Sequence, residues 1–397
     1  MRKTGQSAAL LPISFLFYTA LIITTFSMIF YARDRFQASA SLIGWLAAVP
    51  HLCYFSGCFA LRPLYRLLLP RHSLILATAA ASVLLVAMLL ARTLPLLFVL
   101  YGLFGLSLSL FWPPLMGWLS FNKEERELNT TLGRFNLSWS GGSIIAPFVA
   151  GYLLQGGIGL PFRAAALIMA GICLAVLAVS LLVPEIRLDR QKEPIRPGEE
   201  RNGDRSTPLR YPAWIGLFAS YVILGITMSI FPLYLREEIG FSETRIGFLL
   251  LLRALFSTLG FALLARLFFW HFNSRLMILG QILIIPVTAV MAAVRTFPGL
   301  TAALALFGLL FALSYNNSLF HGVSGSLRRS TRMAVHEGLL TGGMVAGSAI
   351  GGILYQNGRF PGVLVFGCTV AAAAAAAQAA LILIFRRFST PGAHSTD

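Results

Sequence analysis

Three ionisable side chains sit where the sequence gives them little reason to be. Arg253, Glu337 and His51 each interrupt a long apolar run. An Arg at the centre of a membrane-spanning helix costs about 2.5–3.5 kcal/mol on insertion scales, so a side chain retained there marks a candidate site. Arg253 supplies a cation for an anionic or polar ligand group, or else for a structural pairing. Ser257 and Gly260 follow it at helical spacing, on the same face, which points to protein rather than lipid around it. Glu337 is an acid able to take up and release a proton; the competing use is an ion pair with Arg332 or Arg134 at a gate, with His336 beside it. His51 lies at nearly the depth of Arg253 and serves either as a ligand contact or as a satisfied hydrogen-bonding residue.

A second set of polar residues has no charge. It comprises Tyr18, Trp112, Asn136, Ser138, Trp139, Tyr315, Asn316 and Asn317. Amides beside aromatic platforms suit a polar organic molecule such as a sugar or metabolite. Neighbouring helical residues point in different directions, so only one of Asn316 and Asn317 can face such a molecule squarely.

The elements that must hold these groups follow from composition. The chain has 397 residues, of which 57% are hydrophobic and only 12% charged, and its mean hydropathy is +0.77. Soluble domains carry about 25% charged residues, and so little charge cannot clothe a water-soluble surface. Spans of about 20 apolar residues are expected near 8–32, 40–61, 73–91, 95–120, 134–155 and 160–183, and again near 211–235, 244–269, 275–294, 298–322, 333–356 and 360–385. The first is longer than the apolar core of a secretory leader. Arg253 falls about 15 Å into its span and Glu337 about 7–8 Å into its own. Pro113-Pro114 should kink the fourth span and free backbone carbonyls there. The charged, Pro-containing stretch from Pro184 to Arg210 reads as a linker. The expected division is an N-terminal six-helix bundle at 1–184, a cytoplasmic linker at 185–210 and a C-terminal six-helix bundle at 211–397.

The net charge of +16 does not indicate nucleic acid, because the basic residues lie between the apolar runs rather than on a basic face. With both termini on one side, that side receives more than twice the basic residues of the other, which orients the termini toward the cytoplasm. Cys53, Cys58, Cys173 and Cys368 lie within apolar runs and have neither disulfide nor metal-ligand spacing. No metal or cofactor is expected.

The second half repeats the first at a shift of about 203 residues: Ser39–Leu46 falls on Ser242–Leu249, Arg33-Asp34 on Arg236-Glu237, Tyr31 on Tyr234 and Gly105 on Gly308. Gly141-Gly142, Gly151 and Gln155 fall on Gly342-Gly343, Gly352 and Gln356 at a slightly smaller shift. Six spans repeated in the same orientation imply an axis normal to the membrane. On these features the chain resembles the major facilitator superfamily over essentially its whole length. The resemblance implies two six-helix bundles around a central cavity, with spans 1, 4, 7 and 10 lining it and spans 2, 5, 8 and 11 forming the bundle interface. The family's loop pattern after span 2 is met at Gly57, Ala60 and Arg62; Leu61 stands at its Asp and Leu64 at its second Gly. The glycines of spans 5 and 11 suit close helix approach in lipid.

The expectation is an all-α membrane protein and a secondary active transporter moving a small organic solute by alternating access, with proton coupling through Glu337. It is expected to act as a monomer in a bacterial inner membrane, with the lipid bilayer, its solute and protons as partners and no nucleic acid. Export of drug-like or lipidic molecules is the alternative within transport. No Gly-x4-Gly-Lys-Ser/Thr loop is present to power a pump. A membrane-embedded enzyme would need a polar catalytic cluster, which one Glu and scattered His do not supply. A non-transporting sensor or scaffold would need a signalling domain, for which the short termini leave no room.

Overall fold

The computed structural model describes residues 2–61, 63–120, 125–182, 206–324 and 329–389. Most of the linker expected at 185–210, and Arg62 of the loop pattern, lie outside the described residues. Among the described residues the helices are α1 (Arg2–Phe36), α2 (Ala40–Ala60), α3 (Leu64–Leu67), α4 (Pro70–Leu90), α5 (Leu94–Ser109), α6 (Trp112–Ser120), α7 (Glu125–Gln155), α8 (Leu160–Leu182), α9 (Arg210–Glu237), α10 (Glu243–Leu264), α11 (Ser274–Ala293), α12 (Phe297–Val323) and α13 (Arg329–Ser389).

Two departures from one helix per span have local causes. The apolar part of α13, Thr331–Phe385, is 55 residues long, about twice what a bilayer needs. It breaks at Arg359, whose φ of 55° and ψ of −166° are not helical. Pro361 stands two residues on, in the first turn of the segment that follows, where its missing N–H leaves no helical bond unmade. The two expected spans near 333–356 and 360–385 are therefore both present, and the count of twelve crossing segments stands. The fourth span is divided into α5 and α6, with turn geometry at Leu110 and Phe111. Pro114 has no N–H to offer the carbonyl of Leu110, four residues earlier. The hydroxyl of Ser73 in α4 donates to that carbonyl instead, at 2.7 Å, so the freed acceptor is satisfied without water.

The repeat read from sequence is present in backbone detail. Ser39 caps α2, its side chain accepting from the Leu42 N–H, and Ser242 caps α10 by accepting from Arg245. The turn before each cap is the same. The Ala38 N–H reaches the Ala32 carbonyl at 3.2 Å, and the Phe241 N–H reaches that of Leu235 at 2.9 Å. This seven-to-one bond closes a helix through a residue in the left-handed region, as helix ends commonly do. In the second copy that residue is Gly240 (φ 79°); in the first it is Gln37 (φ 51°). The face carrying these two turns is termed distal below, and the face of the termini proximal.

Glycine contacts follow the repeat too. A Cβ on Gly105 of α5 would strike the backbone of Pro50 in α2, and one on Gly308 of α12 would strike Arg253 and Ser257 in α10. Gly57 packs on Leu106 and Ser109, and Gly260 on Leu309 and Ala312. Gly142 sits on Phe15 and Thr19 of α1, and Gly343 on Phe218 and Tyr221 of α9. These contacts build a first group from α1–α8 and a second from α9–α13. The groups meet where α7 packs on α10 and where α2 packs on the first half of α13. There Gly151 abuts Glu243 and Thr244, Gly247 abuts Pro147, and Gly44 and Gly352 face each other. The glycines of spans 5 and 11 thus divide their work. Those at mid-helix hold each group together, and Gly151 and Gly352 let the two groups touch.

Candidate functional site

The distal face is shut by a charge cluster with the same two-fold symmetry. Arg33 Nε lies 2.6 Å from Glu237 Oε1, and Arg236 Nη2 lies 3.0 Å from Asp34 Oδ2. The Arg-acid dipeptide of each repeat therefore pairs with its counterpart. Arg236 Nε also reaches Glu243 Oε1 at 3.1 Å, and its guanidinium lies 5.3 Å from the centre of the Phe30 ring. Outside this cluster the Gln155 amide donates to the Thr244 hydroxyl at 2.8 Å, and the Ser41 N–H donates to Gln356 Oε1 at 3.1 Å. These hydrogen bonds and ion pairs join the two groups at this face. Toward the proximal end Arg134, Asn136 and Glu337 are exposed.

Arg253 lies midway along α10. Its residue is only 9% exposed, and its Nε has no hydrogen-bond partner. Among the described residues no carboxylate comes within ion-pair distance of it. Its backbone packs on Gly308 of α12, and its charge lies within electrostatic range of Tyr18 in α1 and Tyr221 in α9. The guanidinium therefore stands between the two groups of helices.

Aromatic rings form a wall on each side. On the first side Tyr18 is 5.1 Å from Trp139 and 6.0 Å from Trp112, centre to centre, and Trp139 Nε1 donates to Asn136 Oδ1 at 3.1 Å. The Ser138 hydroxyl is turned away, donating to the Leu11 carbonyl of α1 at 2.5 Å. On the second side Tyr221 is 5.1 Å from Phe311, and Tyr315 is 5.3 Å from Phe261. Tyr18, Trp112, Trp139, Tyr221 and Tyr315 are half-buried.

The other candidates separate. Glu337 is exposed yet within electrostatic range of Cys58, Tyr221 and Tyr315. These neighbours belong to α2, α9 and α12, and among the described residues no ion pair joins Glu337 to Arg134. His336, beside it, is buried, its Nδ1 2.9 Å from the Ser318 hydroxyl. His336 ties α13 to α12 rather than facing the cavity. His51 is half-buried on the stripe of α2 that also carries Gly44 and Phe55, which face Ser348 and Gly338 of α13. By the packing against Gly105 and Gly308, the counterpart of Arg253 is Pro50, so His51 does not mirror it. Asn317 is 2% exposed and shares a stripe with Leu313, which packs on Gly280 of α11, so it points into the second group. Asn316 is half-buried, with its Nδ2 unpartnered.

Tyr221 escaped the sequence reading, although the repeat contained the signal. The shift that carries Tyr31 to Tyr234 carries Tyr18 to Tyr221. The gate role of Arg33, Asp34, Arg236 and Glu237 was equally legible as a repeat and illegible as a pairing, because a linear shift does not show which residues meet across an axis.

Comparison with known proteins agrees with this architecture. Residues 10–324 match the sequence model of the Major Facilitator Superfamily. Among solved structures, the chain is similar to a peptide transporter POT in complex with sulfate. That match has a TM-score of 0.74 and 13% identity and covers 98% of each chain. The nucleoside transporter NupG aligns with a TM-score of 0.70 and 13% identity over 95% of this chain and 99% of that one. A bacterial homologue of the human lysosomal transporter Spinster, inward-facing and unoccupied, gives 0.72 and 13% over 96% and 95%. At these identities the likeness is one of fold. Comparison with curated proteins gives no match.

Proposed function

The chain belongs to the Major Facilitator Superfamily, and on that premise we propose that this integral membrane protein is a secondary active transporter of a small organic solute. The solute binds at mid-membrane between α1, α9, α10 and α12, and access alternates as the halves at 1–184 and 211–397 rock about their glycine contacts. The observation that carries this reading is Arg253, a buried cation without a carboxylate, within range of tyrosines from both halves. A group held by both halves binds one conformation better than another, and only such differential binding can drive a conformational change. Glu337, at the open end of the same interior, is the proton carrier in this scheme, and both termini face the cytoplasm of a bacterial cell.

The test is a thermal-shift screen of the purified protein across sugars, organic acids, amino acids, nucleosides and drugs. Uptake of any stabilising solute is then measured in proteoliposomes. Arg253→Ala is expected to abolish or reshape uptake while leaving the protein folded. Unchanged kinetics in that variant would remove Arg253 from the site.

A further inference from the structure

Resting on that transport reading, we propose that the solute is a small organic monoanion with a flat, aromatic body, its carboxylate held by Arg253 and its body lying between the two ring walls. Four features of the site argue for this class.

The first is the missing countercharge. Breaking a buried ion pair by removing one partner leaves an uncompensated charge and is strongly destabilising. A guanidinium kept for structure would be expected to have its carboxylate beside it, yet Nε is buried and unpartnered and the nearby groups in electrostatic range are neutral phenols. A ligand that brings the anion supplies what the fold omits.

The second is stoichiometry. Arg253 is the one buried Arg or Lys among the described residues. A phosphate ester brings a charge of about −1.5 to −2 and would leave excess negative charge at mid-membrane, whereas a carboxylate brings one.

The third is the lining. Tyr18, Trp112 and Trp139 form a cluster of half-buried rings on one half, and Tyr221 and Tyr315 stand against Phe311 on the other. Amide groups are few: Asn136 is already engaged by Trp139, Asn317 points into its own bundle, and Asn316 alone offers an unpartnered Nδ2. A sugar, with hydroxyls on every edge, would find too few partners. A planar ring offers its faces to ring walls and needs polar partners only at one end.

The fourth is position. Tyr18 and Tyr221 are repeat counterparts on α1 and α9, both within range of Arg253. An anion at the guanidinium would therefore lie near tyrosines of both halves.

Binding to the purified full-length protein can be followed by fluorescence of Trp112 and Trp139. The probes are 2-naphthoate, its neutral amide 2-naphthamide, the dianion 2-naphthyl phosphate, and glucose. A hydrogen bond to a charged group adds about 1.5–3 kcal/mol, so 2-naphthoate should bind at least about tenfold more tightly than the amide. It should also bind more tightly than the phosphate. In Arg253→Gln the preference over the amide should vanish, while Arg253→Lys, which retains the charge, should keep part of it and show that the site still folds. Equal binding of acid and amide, no binding of 2-naphthoate, or a preference that survives Arg253→Gln would each overturn the substrate class. If glucose or a nucleoside is instead transported in an Arg253-dependent way, the class falls and the transport reading stands. If the labelled faces of the protein never alternate, the transport reading itself falls.

Discussion

Arg236 holds more of the distal gate than any other residue, and replacing it by Gln gives a quantitative test. The substitution removes the pairs with Asp34 and Glu243 and the contact with the Phe30 ring. The three side chains are between 23% and 30% exposed, so each pair contributes on the scale of surface ion pairs, about 0.2–1 kcal/mol. The ring contact adds about 0.5–1 kcal/mol. The pair with Glu243 lies within the second group, so the closed gate should lose the Asp34 pair and the ring contact, together about 0.7–2 kcal/mol, a change of about 3- to 30-fold in the ratio of closed to open states. Met228 provides the reporter. It is half-buried, two helical turns from Tyr221 on the same face of α9, and lies beneath the gate. With Cys53, Cys58, Cys173 and Cys368 replaced by Ala, Met228→Cys should react slowly with an impermeant maleimide applied from the distal face. Arg236→Gln should raise that rate by the same factor of about 3 to 30. Arg33→Gln, which removes only the pair with Glu237 between the halves, should raise it less. Equal rates in all three proteins, with a cysteine at exposed Asn136 still labelled from the proximal face, would refute the gate.

Other substitutions separate gate from scaffold. Gly247→Ala places a Cβ against the Pro147 carbonyl across the interface, so it should increase distal labelling with little loss of thermal stability. Gly105→Ala meets the Pro50 backbone within one group and should lower Tm instead; the reverse ordering would contradict the assignment of the two contacts. Gln37→Gly relieves a left-handed residue that costs about 1–2 kcal/mol and should raise Tm by a few degrees, whereas a lower Tm would show that the bond from Gln37 Nε2 to the Asp34 carbonyl outweighs the strain. Glu337→Gln removes the acid at the open end of the cavity, and uptake in proteoliposomes should stop responding to an imposed proton gradient. A normal response would exclude Glu337 as the proton carrier.

The twelve spans were legible because a bilayer imposes length and composition on every segment, and those two properties survive in a linear reading. The left-handed turns at Gln37 and Gly240 and the caps at Ser39 and Ser242 follow from local chemistry and were visible as a repeat. The helix break before Pro113-Pro114 was expected, but its carbonyl partner, Ser73, lies 37 residues away and no local rule selects it. At the site, Arg253 was conspicuous because charge in an apolar run is conspicuous. Tyr221 was not, since a tyrosine in such a run is ordinary until packing shows what it faces. Asn317 and His336 show the converse. Both are polar at the right depth, and both turn toward helix–helix contacts, which depends on rotation about the helix axis that the span boundaries do not fix to a residue.

The central claim is that two halves alternate about a mid-membrane site. It is tested most directly by spin-label distances measured on both faces of one preparation, with label pairs at Arg35 and Arg245 on the distal face and at Leu137 and Val335 on the proximal face. The account predicts two populations in which a short distal distance accompanies a long proximal one and the reverse, with their ratio shifted by a bound solute and by Arg236→Gln. A single pair of distances, unmoved by either, would contradict it.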